Sequence, residues 1–314
     1  NQHLHLPTCY DLCNVNFIQC LIFQLRVWTT VPNCMTDFSY YNDTLAVTLT
    51  PGLNGTYTIG GALPDYPTFS AAIQDLETFG VCGPVVFNVR NSIYNEQVSI
   101  GEIAGTSAAN TVTFQSESGD RTLVVLSVSA NSSDNYTVRF NGADWVTFRN
   151  MSLEGTNTSY CRVVVYGENS HNNTIEDNIL QAPVTNSTST NRVVVYADDV
   201  FAENNIIRRN QIRNGSSGIR WNGDFNNNAY TRGLRIEDNV LTDQCYRAIQ
   251  IYELRAHKVS GNRISSQSIR SDFGGITIET SSDSTIVSDN FILGAPNGFG
   301  IILTSLNGSP STPV

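Results

Sequence analysis

The stretch Ile175-Glu-Asp-Asn-Ile-Leu180 carries an apolar–x–x–Asn–x–apolar phrase that decides the fold, because the phrase recurs along the chain. Its Asn residues lie 23 to 32 positions apart, a regularity that the Asn content alone does not explain. A looser sixth copy is centred on Asn150. The later full copies are Ile207-Arg-Arg-Asn-Gln-Ile212, Ile236-Glu-Asp-Asn-Val-Leu241, Val259-Ser-Gly-Asn-Arg-Ile264 and Val287-Ser-Asp-Asn-Phe-Ile292.

Each phrase places one Asn between two short apolar stretches, and this spacing does not fit an amphipathic helix. Asn tolerates the left-handed backbone region, so we interpret it as a bend between two strands. If each repeat is one turn of a coil, like residues stack at the strand spacing of about 4.8 Å. The Asn side chains then form a hydrogen-bonded ladder along the coil.

A second column of short strands runs in step with the Asn phrases. Alternate residues are apolar, which predicts strands with one buried face. We expect Val163 and Val165 to face inward with Ile219, and Val164 to face outward with Arg220. Stacked columns of this kind predict a parallel β-solenoid, whereas a β-sandwich has no reason to keep Asn in step. The members are 163–166, 193–196, 218–221, 248–251, 275–278 and 300–303.

Composition and charge exclude several classes of protein. Only 15% of residues are charged, and the formal net charge is −10 without a Lys/Arg-rich run. We therefore expect no nucleic-acid partner. The apolar runs are too short for a membrane span. There is no basic-then-apolar leader at the start, so we expect a mature or processed form.

The seven cysteines favour an oxidising compartment, because four of them cluster near the start. Cys161 and Cys245 fall about three turns apart in the alignment, which is beyond disulfide reach. A zinc site is the alternative for the cluster, but no CxxC pair occurs, and we predict no metal site. The disulfide candidates are Cys9, Cys13, Cys20 and Cys34.

The chain divides into four predicted segments. Residues 1–50 form a Cys-rich assembly segment with a strand from Cys20 to Thr30, and 51–110 hold the N-terminal cap and first turns. The regular turns occupy 111–306, and 307–314 form a linker-like tail. A capping helix is predicted after Thr68, its N-cap, with Phe69, Ala72, Ile73, Leu76 and Phe79 on one apolar stripe and Gly80 ending it.

Ten sequons make N-glycosylation a prediction wherever the source cell has the machinery. With so much Asn, Ser and Thr, chance explains over half of them. They are Asn42, Asn54, Asn131, Asn135, Asn150, Asn157, Asn172, Asn186, Asn214 and Asn307.

The segments Gly55-Thr-Tyr-Thr-Ile-Gly-Gly61, 65–90, Tyr94-Asn-Glu-Gln-Val-Ser-Ile100 and 110–120 resemble the opening of right-handed parallel β-helix modules in secreted surface proteins of Bacteroidetes-type bacteria. More distantly, the chain resembles the pectate-lyase-like superfold. The resemblance covers about 55–305 and implies an all-β, right-handed parallel β-helix with an N-terminal capping helix. The catalytic motifs of pectin methylesterases and polygalacturonases are not found in their usual contexts.

One set of side chains is a candidate site. Glu168, Asp198 and Asp224 follow consecutive strands at equivalent positions, so their carboxylates are candidates for acid–base work on a glycan or for Ca²⁺ binding. Tyrosines predicted beside them are candidates for contact with sugar rings, and Arg220 lies near. The plainer interpretation is a polar outer face, which every solenoid requires. The tyrosines are Tyr166, Tyr196 and Tyr252.

We expect a secreted, cell-surface structural or adhesive protein with no cofactor. The strand at Cys20–Thr30 and an apolar last turn at Ile301–Leu303 predict head-to-tail self-association into a filament. The alternative is a polysaccharide-acting enzyme, a lyase or hydrolase, or a carbohydrate-binding β-helix.

Overall fold

The computed structural model describes residues 23–28, 44–223, 231–281 and 284–306. Within these ranges, one helix and three long parallel sheets form a right-handed coil of β-strands. The predicted fold class is confirmed. No helix in the described ranges is long and apolar enough to span a membrane.

The first sheet has nine strands that pair in parallel from one turn to the next. Its inward column runs through Phe87, Phe114, Phe148, Ile175 and Ile207, all fully buried. The strands are β3 (Leu53–Ile59), β4 (Val81–Val89), β7 (Val112–Ser116), β10 (Val146–Arg149), β13 (Thr174–Glu176), β16 (Ile206–Arg208), β19 (Arg235–Glu237), β22 (Lys258–Ser260) and β25 (Ile286–Ser288).

The second and third sheets have eight strands each. The second comprises β5 (Ser92–Tyr94), β8 (Val124–Val128), β11 (Ser152–Gly155), β14 (Ile179–Gln181), β17 (Gln211–Arg213), β20 (Val240–Thr242), β23 (Arg263–Ser265) and β26 (Phe291–Leu293). The third comprises β6 (Val98–Ile100), β9 (Val138–Phe140), β12 (Val164–Tyr166), β15 (Val195–Val200), β18 (Ser217–Gly223), β21 (Arg247–Tyr252), β24 (Gly274–Glu279) and β27 (Phe299–Thr304). One turn of the coil takes one strand from each sheet.

The predicted capping helix is confirmed as α1 (Phe69–Phe79). The Thr68 hydroxyl accepts the N–H of Ala71 at 3.1 Å, and Gly80 ends the helix with a positive φ of 66°. Phe69, Ala72, Ile73 and Leu76 are buried, whereas Phe79 is exposed. The helix therefore covers apolar residues of the first turns, as the stripe predicted.

The Asn ladder is confirmed, and its hydrogen bonds join neighbouring turns. Asn210 Oδ1 accepts the N–H of Asn178 at 3.0 Å, and Asn210 Nδ2 donates to the carbonyl of Ile175 at 2.8 Å. Asn239 and Asn262 repeat both bonds one turn further on. The Oδ1 atoms therefore satisfy buried N–H groups at the corner between two sheets, and the Nδ2 atoms add a bond to carbonyls inside the first sheet.

The prediction that the ladder Asn makes the bend is wrong. The left-handed residue is the one before it, with φ of 57° at Asp177 and 54° at Arg209. Asn150 has the same conformation, with φ of 54°, so the looser sixth copy is displaced by one position. Met151 occupies the ladder position there and donates its N–H to Asn178 Oδ1 at 3.0 Å.

A second ladder, at the corner before the first sheet, was not predicted. Asn205 Oδ1 accepts the N–H of Asn173 at 2.9 Å, and its Nδ2 donates to the carbonyl of Ser170 at 2.8 Å. Leu234 and His257 occupy the same position on the following turns, and we call this column of stacked residues a file. Only two of its members are Asn, which explains why the repeat did not stand out.

The predicted N-terminal strand is β1 (Phe23–Trp28), which pairs antiparallel with β2 (Thr44–Leu49). Donation of this strand to another molecule stays a prediction, because β1 pairs along one edge only in the described residues. The four predicted disulfide cysteines lie outside the described residues. Cys161 and Cys245 are both free and buried, which confirms that they do not pair.

Candidate functional site

The outer surface of the third sheet carries a group of arginine, tyrosine and amide side chains that we call the arginine–tyrosine face. Its outward column is fixed by the strand register, which aligns Arg139, Val165, Tyr196, Arg220 and Gln250 on consecutive turns. Inward neighbours such as Val164 and Ile219 are fully buried and hold the strands in place. The face comprises Tyr136, Arg139, Arg162, Val165, Tyr196, Asp198, Arg220, Asn222, Gln250, Tyr252 and Glu279.

Asp198 is the acceptor at the centre of this face. Its Oδ2 accepts the hydroxyl of Tyr196 at 2.8 Å. Its Oδ1 accepts Arg220 Nη2 at 3.3 Å and Asn222 Nδ2 at 3.2 Å. The Asp198 side chain is 38% exposed and that of Arg220 is 20% exposed, so the ion pair is open to a ligand on one side.

Arg220 links three turns of the coil. Besides Asp198, its Nη1 lies 3.3 Å from Gln250 Oε1, and its guanidinium stacks on the Tyr252 ring at 4.8 Å. Gln250 Nε2 donates to the Tyr252 hydroxyl. Burial is the largest cause that raises the pKa of Tyr252, and the neighbouring Glu279 carboxylate adds to it. These contacts hold the polar groups in fixed positions before any ligand arrives.

Tyr196 lies on this face but is itself covered. Its ring is only 8% exposed, because the guanidinium of Arg162 stacks on it at 3.5 Å. Burial and the hydrogen bond to Asp198 raise the pKa of the Tyr196 hydroxyl. Tyr196 therefore supports Arg162 and Asp198, and its ring face is not open to a sugar.

The structure brings Tyr196, Asp198, Arg220 and Tyr252 together, but it corrects the position of Tyr166. Tyr166 points into the core, is 1% exposed and packs on Phe140 and Trp221. The error is one of register: Val164, not Val163, aligns with Val195 and Ile219, so Val165 faces outward. The core side has room for the Tyr166 ring because Ala197 lies between it and Trp221 in the inward column.

Of the other two predicted carboxylates, Glu168 does not join this group. Glu168 lies at the corner after β12, where its Oε2 accepts the N–H of Phe201 at 3.0 Å. Asp224 lies outside the described residues. The predicted stack of three carboxylates is therefore not seen in the described part of the chain. Sequence reasoning found Arg220 but missed the other arginines of the face.

The sequons differ in how their side chains are used. Asn135 is buried, with Nδ2 donating to Asn191 and Oδ1 accepting from Arg162, so its prediction as a glycosylation site is wrong. Asn54, Asn131 and Asn186 are exposed, and Asn150, Asn157, Asn172 and Asn214 are half-buried. Asn42 and Asn307 lie outside the described residues.

A family model described as "Periplasmic copper-binding protein (NosD)" matches residues 86–298. Comparison with curated proteins gives no match. Solved structures with a similar backbone include the pectin methylesterase of Aspergillus niger, with 13% identity, 82% of this chain and 87% of that chain covered, and a TM-score of 0.46. A rhamnogalacturonan lyase shares 11% identity, with 83% and 75% covered and a TM-score of 0.49. The Dettilon tailspike protein shares 10%, with 78% and 46% covered and a TM-score of 0.47.

The described residues do not fit a copper site. Among them, no three His, Cys, Asp or Glu side chains are grouped closely enough to hold a metal ion. Burial raises the pKa of the Cys161 thiol to about 11, so the thiolate that a soft metal needs is disfavoured. The Nδ1 atom of His171 already accepts the N–H of Glu203 at 3.0 Å. The predicted Ca²⁺ ligands are likewise not assembled in this part of the chain.

Proposed function

This chain belongs to the NosD family, and on that premise we propose that it is an extracytoplasmic parallel β-helix whose arginine–tyrosine face binds carbohydrate. The family description supports the compartment, since it names the periplasm. Because the described residues do not fit copper, the proposal gives that metal no role.

The observation that carries the proposal is the array around Arg220. Donors and acceptors of Asp198, Arg220, Asn222 and Gln250 come from three consecutive turns and are held by one another. Sugar hydroxyls both donate and accept, so planar amide, carboxylate and guanidinium groups suit them. The partly exposed Tyr252 ring, fixed under Arg220, offers apolar surface to the C–H face of a sugar ring. A regular face of this kind fits a repeating polymer.

The same geometry speaks for binding rather than glycoside hydrolysis. Asp198 on β15 is bonded by Asn222 of the next turn, and Asn222 aligns with Tyr252 and Glu279 on the turns after it. The carboxylates of Asp198 and Glu279 are therefore three turns apart. Three strand spacings amount to about 14 Å at the backbone, beyond the roughly 5–10 Å between paired carboxylates in glycoside hydrolases. Both oxygens of Asp198 also have partners already.

A binding panel of neutral and acidic polysaccharides tests the proposal. We expect Arg220→Ala to weaken binding of whichever polysaccharide the native chain retains by about tenfold to hundredfold. The substitution removes charge-assisted hydrogen bonds and the guanidinium that holds the Tyr252 ring in place. Arg263→Ala is the matched control, because Arg263 stacks on a ring too, that of Phe291, but lies on the second sheet. Equal losses in both variants, or no glycan retained by the native chain, would contradict the proposal.

Incubation of the native chain with the same polysaccharides tests the enzymatic alternative. Release of reducing ends or unsaturated products, lost in Asp198→Ala, would show that the face acts on its glycan rather than only holding it. Binding without any such product is the result that our proposal expects.

A second candidate function, end-to-end assembly, is favoured by the last described turn. Phe291, Leu293, Phe299, Ile301 and Leu303 are each 50–62% exposed there. In the described part of the chain, β25, β26 and β27 pair on one side only. Apolar surface with free strand edges can pair with another copy.

We therefore expect light scattering of the native chain at high concentration to show species larger than a monomer. Ile301→Lys should shift the chain to monomer, because a charge on the free edge opposes pairing. Leu63→Lys, at an exposed apolar residue near the opposite end, is the control that should change nothing. A native chain that stays monomeric would remove this candidate.

A further inference from the structure

Two arginines flank a small apolar patch at one end of the arginine–tyrosine face. Arg139 and Val165 are direct neighbours across β9 and β12, and Val165 and Tyr196 are direct neighbours across β12 and β15. Arg162 lies over Tyr196. The Val165 side chain therefore forms a floor, with the Arg139 guanidinium on one side and the Arg162 guanidinium on the other.

The Arg139 side chain has no hydrogen bond and no ion pair with any residue in the described ranges, although its backbone pairs within the third sheet. Its Nε is buried without a partner, and its one ring contact is with Tyr136 at 5.9 Å. A half-buried cation costs free energy unless an anion or a set of acceptors compensates it. Nothing in the described fold requires a cation at this position.

Arg162 is only partly satisfied. Its Nε donates to the Thr190 carbonyl at 3.0 Å, and its Nη2 lies 3.5 Å from Asn191 Oδ1. No carboxylate of the described residues lies within ion-pair distance. Burial lowers the pKa of Arg162, which shows that its charged form is incompletely compensated. The positive charges of Arg139 and Arg162, both on the Val165 patch, therefore lack an anionic partner. This holds although the chain as a whole has a formal net charge of −10.

We propose that Arg139, Val165 and Arg162 form an anion subsite that takes a carboxylate of an acidic glycan, a uronate residue of the polymer. This inference rests on the proposed function and adds the ligand's charge to it. The planar guanidinium matches a carboxylate in a two-point contact, and Val165 contacts the C–H groups of the same sugar. Further along the face, the Asp198 carboxylate repels a second carboxylate of the glycan. A hydroxyl-rich part of the glycan therefore fits beside Arg220.

The site therefore has a direction. The carboxylate lies toward the capping helix, at the turns of β9 and β12, and the neutral hydroxyls lie at the turns of β18 and β21. A linear glycan bound across both parts runs along the coil axis and spans five turns, or about 19 Å at four strand spacings.

The test measures binding of the full chain by calorimetry to a uronic-acid oligosaccharide and to the same oligosaccharide with its carboxyls reduced to neutral alcohols. We expect the acid form to bind at least tenfold more tightly. Arg139→Gln should weaken binding of the acid form far more than binding of the reduced form, so that most of that difference is lost. Because the Arg139 side chain donates no hydrogen bond within the described ranges, the variant should have the same melting temperature as the native chain. Arg263→Gln is the control on another sheet and should retain the full preference.

Three results would overturn the inference, and they point in different directions. Equal binding of both oligosaccharides removes the anion subsite while the carbohydrate-binding proposal stands. Binding of neither, together with no retention of any polysaccharide in the panel, removes both. A preference for acid that Arg139→Gln and Arg162→Gln leave intact would place the anion elsewhere and also contradict the subsite.

Discussion

Asn210→Ala is expected to lower the free energy of unfolding by about 3–5 kcal/mol, although it deletes only one small polar side chain. The substitution leaves the N–H of Asn178 without its partner, and it removes the bonds from Asn210 Nδ2 to the Ile175 carbonyl and, at 3.1 Å, to Asn239 Oδ1. The N–H of Asn178 is at a buried corner, where an unmet hydrogen bond costs about 1–3 kcal/mol, and each of the two lost Nδ2 bonds adds about 1 kcal/mol.

Chemical denaturation with hydrogen exchange at Asn178 measures this effect. Asn297→Ala is the matched control, since Asn297 is exposed and makes one long hydrogen bond of 3.5 Å. Asn210→Asp divides the effect: the acceptor for Asn178 remains, but the donor to Ile175 is lost and a carboxylate is buried. A loss of stability no greater than that of Asn297→Ala would mean that the ladder is not a major source of stability.

The ladder could be predicted because its chemistry restricts the residue. A side chain that accepts an N–H from one turn and donates to a carbonyl of another must be a short amide, so Asn recurs. The left-handed residue beside it faces outward and has no such requirement. The residues at that position are Asn150, Asp177, Arg209, Asp238, Gly261 and Asp289. Five of the six are types that tolerate the left-handed region, so the signal lay one place before the residue to which the bend was assigned.

The candidate site was only partly predictable for a related reason. Alternation located Arg220 and Gln250 on the outer face, because apolar neighbours on both sides fix the strand's orientation. The run Val163-Val164-Val165 has no alternation, so its register could be slipped by one residue, and the slip turned Tyr166 outward. Arg139 does alternate with Val138 and Phe140, and that pattern would have placed it on the same face.

Acid is expected to destabilise the coil through His257. The structure places it inside, 1% exposed, with Nδ1 3.4 Å from Thr285 Oγ1 and Nε2 without a partner among the described residues. Burial lowers the pKa of His257 from 6.5 to about 4. Between these values the unfolded chain binds the proton and the folded chain does not, so stability falls as the pH falls.

The loss due to His257 begins as the pH drops below about 6.5 and is complete below about 4. A difference of about 2.5 pKa units corresponds to about 3 kcal/mol. His257→Asn should remove this part of the acid dependence, because Asn is polar, does not titrate and already occupies the same file at Asn173 and Asn205. Urea unfolding at pH 7.5 and pH 4 measures the difference for each variant.

The comparison that decides the role of His257 is the change with pH, not stability at one pH. Carboxylates also contribute to acid unfolding, but they do so equally in both chains, so the difference isolates the histidine. His171→Asn is the control, because His171 is at a partly exposed corner and its variant should keep the native acid loss. If His257→Asn loses as much stability as the native chain between pH 7.5 and 4, the buried imidazole takes up its proton without opening the coil. The space around Nε2 would then have to admit water or an anion, which makes this corner more open than the packing indicates.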